Sequence, residues 1–566
     1  ITNIFRNMTN ETKQMLEVYC VNTKSKILVP WGISLLDLIK FTGLAEPDKI
    51  IGACVNNKLQ NLYYQLYSTK TIEYVDIEHV FGKKIYASSL MMLTYKAVKD
   101  IFPKSEMHIL HSTSYGYYAE IRNVDEEMGK VVPKIKEQMQ ELIAKDLPFE
   151  RRTIASEDAI ELFEKVGLKD KADLIRNNRT LYTKIDVLDN TINSFVVDMV
   201  PSTKYLTVWD IKPFENGLII LLPDFYKNNK ETSEPFNQKK MLDIFQEYKR
   251  WVKVLDAPYV FDLNKKIAKG EVNQLIQTAE ALHEKKYAQI ADAIYKKKDN
   301  VKFIFLAGPS SSGKTTSCRR LATQLSVLGI KALQISLDDY FLDREHTPRD
   351  KNGNYDFECL EALDLDFLAL QMKELMEGKE IALPRFNFVT GEREESGTKI
   401  QLKEENVVII EGIHALNPRL SKDIARKNKY FIFVSALTQV ALDQHNLIST
   451  GDNRLIRRIV RDNSYRGSSA EKTLMMWQSV RRGEEKHIFP YQENADSIFN
   501  SSLLYEIGVL KHYCEPLLME VPQNSPAYAK ARHLIDYLRN FSVISPDFIP
   551  PTSIMREFLG GSSFTY

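Results

Sequence analysis

"FLAGPSSSGKTTSCRRLATQL", residues 305–325, decides how the second half of this chain folds. An apolar run stops at glycine, proline and serines, Gly313, Lys314, Thr315 and Thr316 follow, and a helix-like pattern begins. Gly308 to Thr315 fits GxxxxGK[ST], in which the glycines let the backbone curl until successive N–H groups face phosphate oxygens. Lys314 is then set to reach the β and γ oxygens and the Thr315 hydroxyl to hold Mg²⁺. The helix behind the loop turns its positive N-terminal end toward the anion. Gly308, Ser310, Ser311, Ser312, Gly313, Lys314, Thr315 and Thr316 are therefore the expected nucleotide-binding residues.

Around this loop the pattern is strand, helix, strand: "VKFIFLA" at 301–307, "ALQISLDD" at 332–339, "NVVIIEG" at 406–412 and "KYFIFVSA" at 429–436. Buried apolar strands separated by helices imply a parallel sheet. A GTPase should carry an NKxD-type base reader downstream, and none is found; a motor ATPase usually ends the later strand in two acids, whereas "VVIIEGIHAL" has Glu411 and then glycine. Asp338 and Asp339 end an apolar strand, at the carboxyl edge where open α/β sheets bind ligands. A carboxylate there can take a proton from an acceptor hydroxyl and help to order Mg²⁺; an ordinary acidic turn is the plainer alternative. In "TGDNRLIRRIVRDNSYRG", Arg454, Arg457, Arg458 and Arg461 share one helix face, with Leu455, Ile456, Ile459 and Val460 opposite. Such a face is a solvated surface, a lid that brings charge over a γ-phosphate, or a nucleic-acid-binding helix.

In length, 566 residues suggest three or four domains. A net charge of +1 gives no global field toward nucleic acid or membrane. The five cysteines are scattered without a CxxC, which argues for a reducing compartment and against structural zinc. "LIILL" at 218–222 is strand-sized, and "ITNIFRNMTNETKQ" lacks the apolar core of a signal peptide. The reading is a soluble, cytoplasmic chain without membrane attachment.

Together, "GPSSSGKTT", "SLDDYF", "YDFECLEALDLDFL", "GKEIALPRFNFVTGERE", "VVIIEGIHAL", "RLIRRIVRD" and "FPYQENADSIFNSS" resemble the uridine kinase/phosphoribulokinase family of P-loop kinases over about 301–510. The resemblance implies that Asp338 is the general base and Glu411 the carboxylate near the metal. It puts Arg458, Arg461 and Arg466 in the lid and acceptor-contacting region, and Glu361 near sugar hydroxyls. Asp339 is grouped with Glu361, Phe386 and Arg466 at the acceptor site. Where nucleoside-binding members carry a tyrosine and a histidine that read the pyrimidine, this chain has Phe386 and Gly391, which weakens uridine as the acceptor.

The first half carries a different likeness. "ILVPWGISLLDLIKFTGL" followed by "IIGACVNNKLQNL" resembles a TGS domain, a small β-grasp module, and residues 85–223 resemble the second domain of threonyl-tRNA synthetase. That domain edits mischarged tRNA with an HxxxH motif, but Ser88 and Met92 fall at those two places and Leu206 at a later cysteine. A serine and a thioether cannot replace two imidazoles. His108 and His111 read as structural, at a strand and turn. Helices are expected at 88–102, in "VVPKIKEQMQELIAKD" and in "SEDAIELFEKVG", the last with a cap-like Ser156.

The expected fold is multidomain α/β and α+β: a TGS-like β-grasp domain at 1–80, a synthetase-like α+β domain at 81–223, a helical connector at 224–300 and a P-loop kinase with a C-terminal extension at 301–566. The expected function is ATP- and Mg²⁺-dependent phosphoryl transfer to a small-molecule hydroxyl, a nucleoside 5′-hydroxyl foremost. The expected catalytic residues are Asp338, Lys314, Arg458 and Arg461, and the expected metal site is Thr315, Glu411 and Asp338. A nucleotide-regulated RNA- or ribosome-associated protein is the alternative, and RNA contact through the first half and homo-oligomerisation are left open.

Overall fold

The computed structural model describes residues 14–113, 116–224, 229–232, 239–349, 353, 355–387 and 390–565. The segment read for a leader and most of the polar stretch at 226–240 lie outside them.

The first sheet forms where short β-branched runs alternate with turns. Its strands are β1 (Met15–Cys20), β2 (Ser25–Pro30), β3 (Gly52–Val55), β4 (Lys58–Gln60) and β5 (Thr71–Val75), in the order β2-β1-β5-β3-β4. β1 and β5 run parallel and the other pairs antiparallel. The single α-helix of this unit, α1 (Leu35–Thr42), starts where the Ser34 hydroxyl accepts the Asp37 N–H and stops at Gly43, with φ of 67°.

Helix α2 (Gly82–Ile101) is buried along most of its length, polar residues such as Ser89, Thr94 and Lys96 included. Around it lie β6 (Glu106–Thr113), β7 (Gly116–Arg122), α3 (Met128–Ala144), β8 (Phe149–Ala155), α4 (Ser156–Lys165), α5 (Lys169–Asn178), β9 (Tyr182–Leu188), β10 (Thr191–Asn193), β11 (Asp210–Phe214) and β12 (Gly217–Leu221). They make an antiparallel sheet β11-β12-β7-β6 and a smaller one, β10-β9-β8. Ser156 does not cap α4: it is the first helical residue, and its hydroxyl instead bonds the Thr183 hydroxyl at 2.8 Å. His108 and His111 both lie on β6; His108 bonds the Tyr259 hydroxyl at 3.2 Å and His111 stacks on Phe245.

Three helices follow, α6 (Lys239–Leu255), α7 (Val260–Ala268) and α8 (Val272–Tyr295). They do more than connect, because α8 joins the core of the next unit: the Tyr287 hydroxyl bonds that of Ser317, and Arg320 reaches Glu280 and Glu284.

That unit is built on β13 (Phe303–Ala307), α9 (Lys314–Val327), β14 (Lys331–Ser336), α10 (Leu365–Met376), β15 (Glu380–Asn387), β16 (Glu392–Gln401), β17 (Asn406–Glu411), β18 (Lys429–Ser435), α11 (Thr450–Arg466), α12 (Ala470–His487), β19 (Ser497–Asn500), α13 (Glu506–Met519), α14 (Tyr528–Leu538) and α15 (Arg556–Leu559). Five strands form the sheet β14-β17-β13-β18-β19, every pair parallel, and β15 and β16 make a separate hairpin. Crossover helices cover both faces, so the inner strands β17, β13 and β18 are mostly apolar and buried rather than alternating. The two halves meet through buried polar contacts. Lys171 and Asp443 pair at 2.7 Å with both side chains nearly inaccessible, and the Ile109 N–H donates to the Gln444 carbonyl at 2.8 Å. No helix among the described residues is long and apolar enough to cross a membrane, and all five cysteines are free and buried.

Candidate functional site

The register of the parallel sheet fixes where chemistry can happen. Leu306 on β13 and Ser336 on β14 both lie beside Glu411 on β17, so three strands end at one level. The loop to α9 leaves from that edge. Gly308 packs so tightly on β18 that a Cβ there would lie 2.1 Å from the Val434 carbonyl oxygen, and Gly313 has φ of +80°. Those two positions of the motif need glycine for different reasons, close approach and a left-handed backbone. Ser311 also takes a positive φ, 57°.

On the loop, the Thr315 hydroxyl donates to Glu411 at 3.2 Å and the Lys314 ammonium rests on the Pro309 carbonyl at 3.3 Å. Glu411 is pushed up to about 7, chiefly by burial, and Lys314 opposes the shift while Asp338 adds to it. Asp338 is exposed, on a tight turn at Leu337–Tyr340 that crosses Gly412, where any side chain would strike Leu337. Asp339 faces the other way: its carboxylate accepts the Phe386 N–H at 3.2 Å, tying the turn to β15, and burial raises its pKa.

The four arginines of α11 divide into two kinds. Arg454 and Arg457 are fully buried, so they belong to neither a solvated face nor an open lid. Arg454 makes a two-pronged pair with Glu484, one prong at 2.8 Å, and donates to the Ser310 carbonyl at 3.1 Å. Arg457 pairs with Glu506 at 3.0 Å and also points at the Ser311 carbonyl. Burial works against the Glu484 charge, yet Arg454 holds that carboxyl below its usual range. These two arginines brace the loop from behind. Arg458 reaches its front, donating to the Ser310 hydroxyl at 2.9 Å, and Asp462 gathers Arg458, Arg461 and, more loosely, Arg466.

Two expected acceptor residues are engaged by other parts of the chain. Glu361 is on the surface, 51% exposed, bonded to Arg419 at 2.6 Å. Phe386 is buried against Phe341, so its ring is core. Glu358, three residues before Glu361, is the acid that comes to the loop instead. Its carboxyl is pushed up to about 7 by burial and by Glu484, while Arg458 and Lys314 pull it back. Gly483 lets α12 approach it, since a Cβ there would fall 2.4 Å from that of Glu358. Glu557 was also missed: from α15 it reaches the Thr316 N–H and hydroxyl. Glu358 lies in the run "YDFECLEALDLDFL" without standing out from its other acids, and no motif marks Glu557.

Among the described residues no cluster of three or more His, Cys, Asp or Glu forms a ready-made metal cage. Mg²⁺ does not need one, because it binds through one or two protein oxygens, water and phosphate; the Thr315–Glu411 pair beside Lys314 fits that pattern. Residues 303–503 match the Phosphoribulokinase / Uridine kinase family. Over those residues the chain is similar to that family. Uridine kinase of Staphylococcus aureus (strain JH9) is 28% identical over 196 residues, 34% of this chain and 85% of that one. Among solved structures, D-glycerate 3-kinase from Cryptococcus neoformans var. grubii is 14% identical, with a TM-score of 0.26 over 35% of this chain and 87% of that one. A protein described as a "Possible Uridine Kinase" from Bacillus stearothermophilus is 18% identical, with a TM-score of 0.26 over 38% of this chain and 98% of that one. Within the matched residues, Lys314, Thr315, Glu411 and Asp338 share one sheet edge.

Proposed function

We propose that this chain transfers the γ-phosphoryl group of ATP, with Mg²⁺, to a hydroxyl of a small molecule, and that the acceptor is a nucleoside 5′-hydroxyl. One observation carries the reading: the exposed Asp338 lies within electrostatic reach of Glu411, the partner of Thr315 on the loop. Lys314 offsets charge on the β and γ oxygens. Asp338 takes the proton as the acceptor oxygen bonds to phosphorus, and ADP leaves with the electron pair of the broken bond. Arg458, already on the loop at Ser310, balances charge at transfer. Thr315 and Glu411 would hold Mg²⁺, which would supply neutralisation of phosphate charge.

The base of the acceptor finds no polar reader at Phe386 or Gly391. The ring is buried, and beside Gly391 lies Arg344, whose guanidinium would touch any side chain placed there. The test is a screen of nucleosides and sugar phosphates for ADP release, run on the intact chain and on Asp338→Asn. Turnover that rises with one acceptor and collapses in the variant is the expected result. No stimulation by any acceptor ends the kinase reading, and an unaffected variant ends the role of Asp338.

The first half is proposed as a TGS-type β-grasp module at 1–80 and a synthetase-type domain at 81–223 without editing chemistry. Strand order β2-β1-β5-β3-β4 and the burial of Ser88, Met92 and Leu206 support this. Its role is docking on the kinase unit, which the buried Lys171–Asp443 pair favours over an RNA-binding role. Five buried, unpaired cysteines fit a cytoplasmic location.

A further inference from the structure

The nucleotide loop already holds an anion supplied by the chain. The Glu557 carboxylate accepts the Thr316 N–H at 3.2 Å and the Thr316 hydroxyl at 2.6 Å. Thr316 lies in the first turn of α9, where backbone N–H groups lack partners within the helix and the helix dipole is positive. In the GxxxxGK[ST] fold these amides cradle the α- and β-phosphates. One N–H cannot serve a carboxylate and a phosphate oxygen at once, and the two anions repel.

We propose that Glu557 is an internal competitor for the nucleotide's phosphates, so that the C-terminal helix α15 sets the affinity of the donor site. This rests on the nucleotide-binding reading above and deepens it.

The competing part is the side chain, because the segment carrying it is anchored. Ile554, Met555 and Phe558 are fully buried. The Ser553 hydroxyl donates to Glu280, Arg556 donates to the Pro546 and Ile549 carbonyls, and the Arg457 guanidinium lies over the Phe558 ring at 5.1 Å. Ile554 packs on Gly313, its methyl 2.8 Å from where a Cβ would stand. Glu557 is half-buried and its carboxylate is aimed at the loop. Its charge is also felt by Glu411, which it helps to raise. A nucleotide must therefore turn the Glu557 side chain aside, while the backbone beneath it stays.

Displacing a charged hydrogen bond on each binding event lowers apparent affinity by about tenfold. The test measures the equilibrium dissociation constant of a fluorescent ADP analogue with Mg²⁺ on the full chain, with thermal melting alongside. Wild type, Glu557→Gln, Glu557→Ala and Lys314→Ala are compared. Glu557→Gln keeps the shape and removes the charge, so both Glu557 variants should bind about tenfold more tightly with little change in melting temperature. Unchanged or weaker binding in a folded Glu557→Gln overturns the proposal, since the carboxylate would then be a structural cap or a helper of the nucleotide. If wild type binds and Lys314→Ala loses binding, the donor site stands whatever Glu557 does. If no form binds the analogue, the donor-site reading falls and this proposal with it.

Discussion

At the carboxyl edge of the C-terminal sheet, Lys314, Thr315, Glu411, Glu358 and Asp338 surround a glycine loop, and two carboxyls there are pushed up to about 7. In the N-terminal half, α2 offers a comparable rigid platform, but the places where the synthetase-like resemblance would put imidazoles hold Ser88 and Met92, both buried. Each region has a well-packed scaffold. What separates them is a handful of side chains able to carry charge or protons, and the contrast teaches that a well-packed scaffold is not by itself a site.

The largest expected effect tests that contrast directly. Lys314→Ala and Asp338→Asn should each lower kcat by about 10²–10⁴-fold, whereas Ser88→Ala and Met92→Leu should leave it within about twofold. A comparable loss from Ser88→Ala would break the comparison by giving the first half a share in the chemistry. Next come the buried pairs behind each region. Glu484→Gln strands Arg454, and Lys171→Met strands Asp443 between the halves; each should cost about 3–5 kcal/mol in urea unfolding. A much smaller cost at Lys171 would mean that the halves dock loosely.

A smaller effect follows from proton binding. Glu411 has a folded pKa of about 7 against an ordinary value near 4.5, so the folded state holds the proton more tightly. This group favours folding at low pH, and that contribution is lost as pH rises from about 4.5 to about 7. Wild type should therefore lose about 1–3 kcal/mol more stability between pH 5 and pH 8 than Glu411→Gln, measured by denaturant unfolding. Equal losses would mean that Glu411 titrates normally. Smallest of all is Glu361→Ala, which breaks a surface pair with Arg419. It should change stability by less than about 0.5 kcal/mol and leave the acceptor KM unchanged; a raised KM would return Glu361 to the acceptor site.

Much of the C-terminal unit was legible in the residues. Apolar strands, a helix after Lys314 and acids at strand ends are local patterns, and local geometry carries them into the fold. The helices at 88–102, in "VVPKIKEQMQELIAKD" and in "SEDAIELFEKVG" were legible for the same reason. The four-arginine face of α11 was legible as a face but not as a core: periodicity reveals which side chains share a side, while Glu484 and Glu506, which allow Arg454 and Arg457 to be buried, come from other helices. Likewise, nothing near Ser156 signals that Thr183 on β9 would take its hydroxyl.

The residue order was enough for the phosphate loop, the parallel sheet and the place of Asp338 at a strand's end, because each depends on backbone geometry and neighbours within a few positions. Only packing could decide that Glu358 rather than Glu361 faces the loop, that Phe386 is core, and that Glu557 sits on Thr316. Burial and charge pairing depend on what the rest of the chain brings alongside. Thr316 and Glu557 are 241 residues apart, and no local pattern spans that distance.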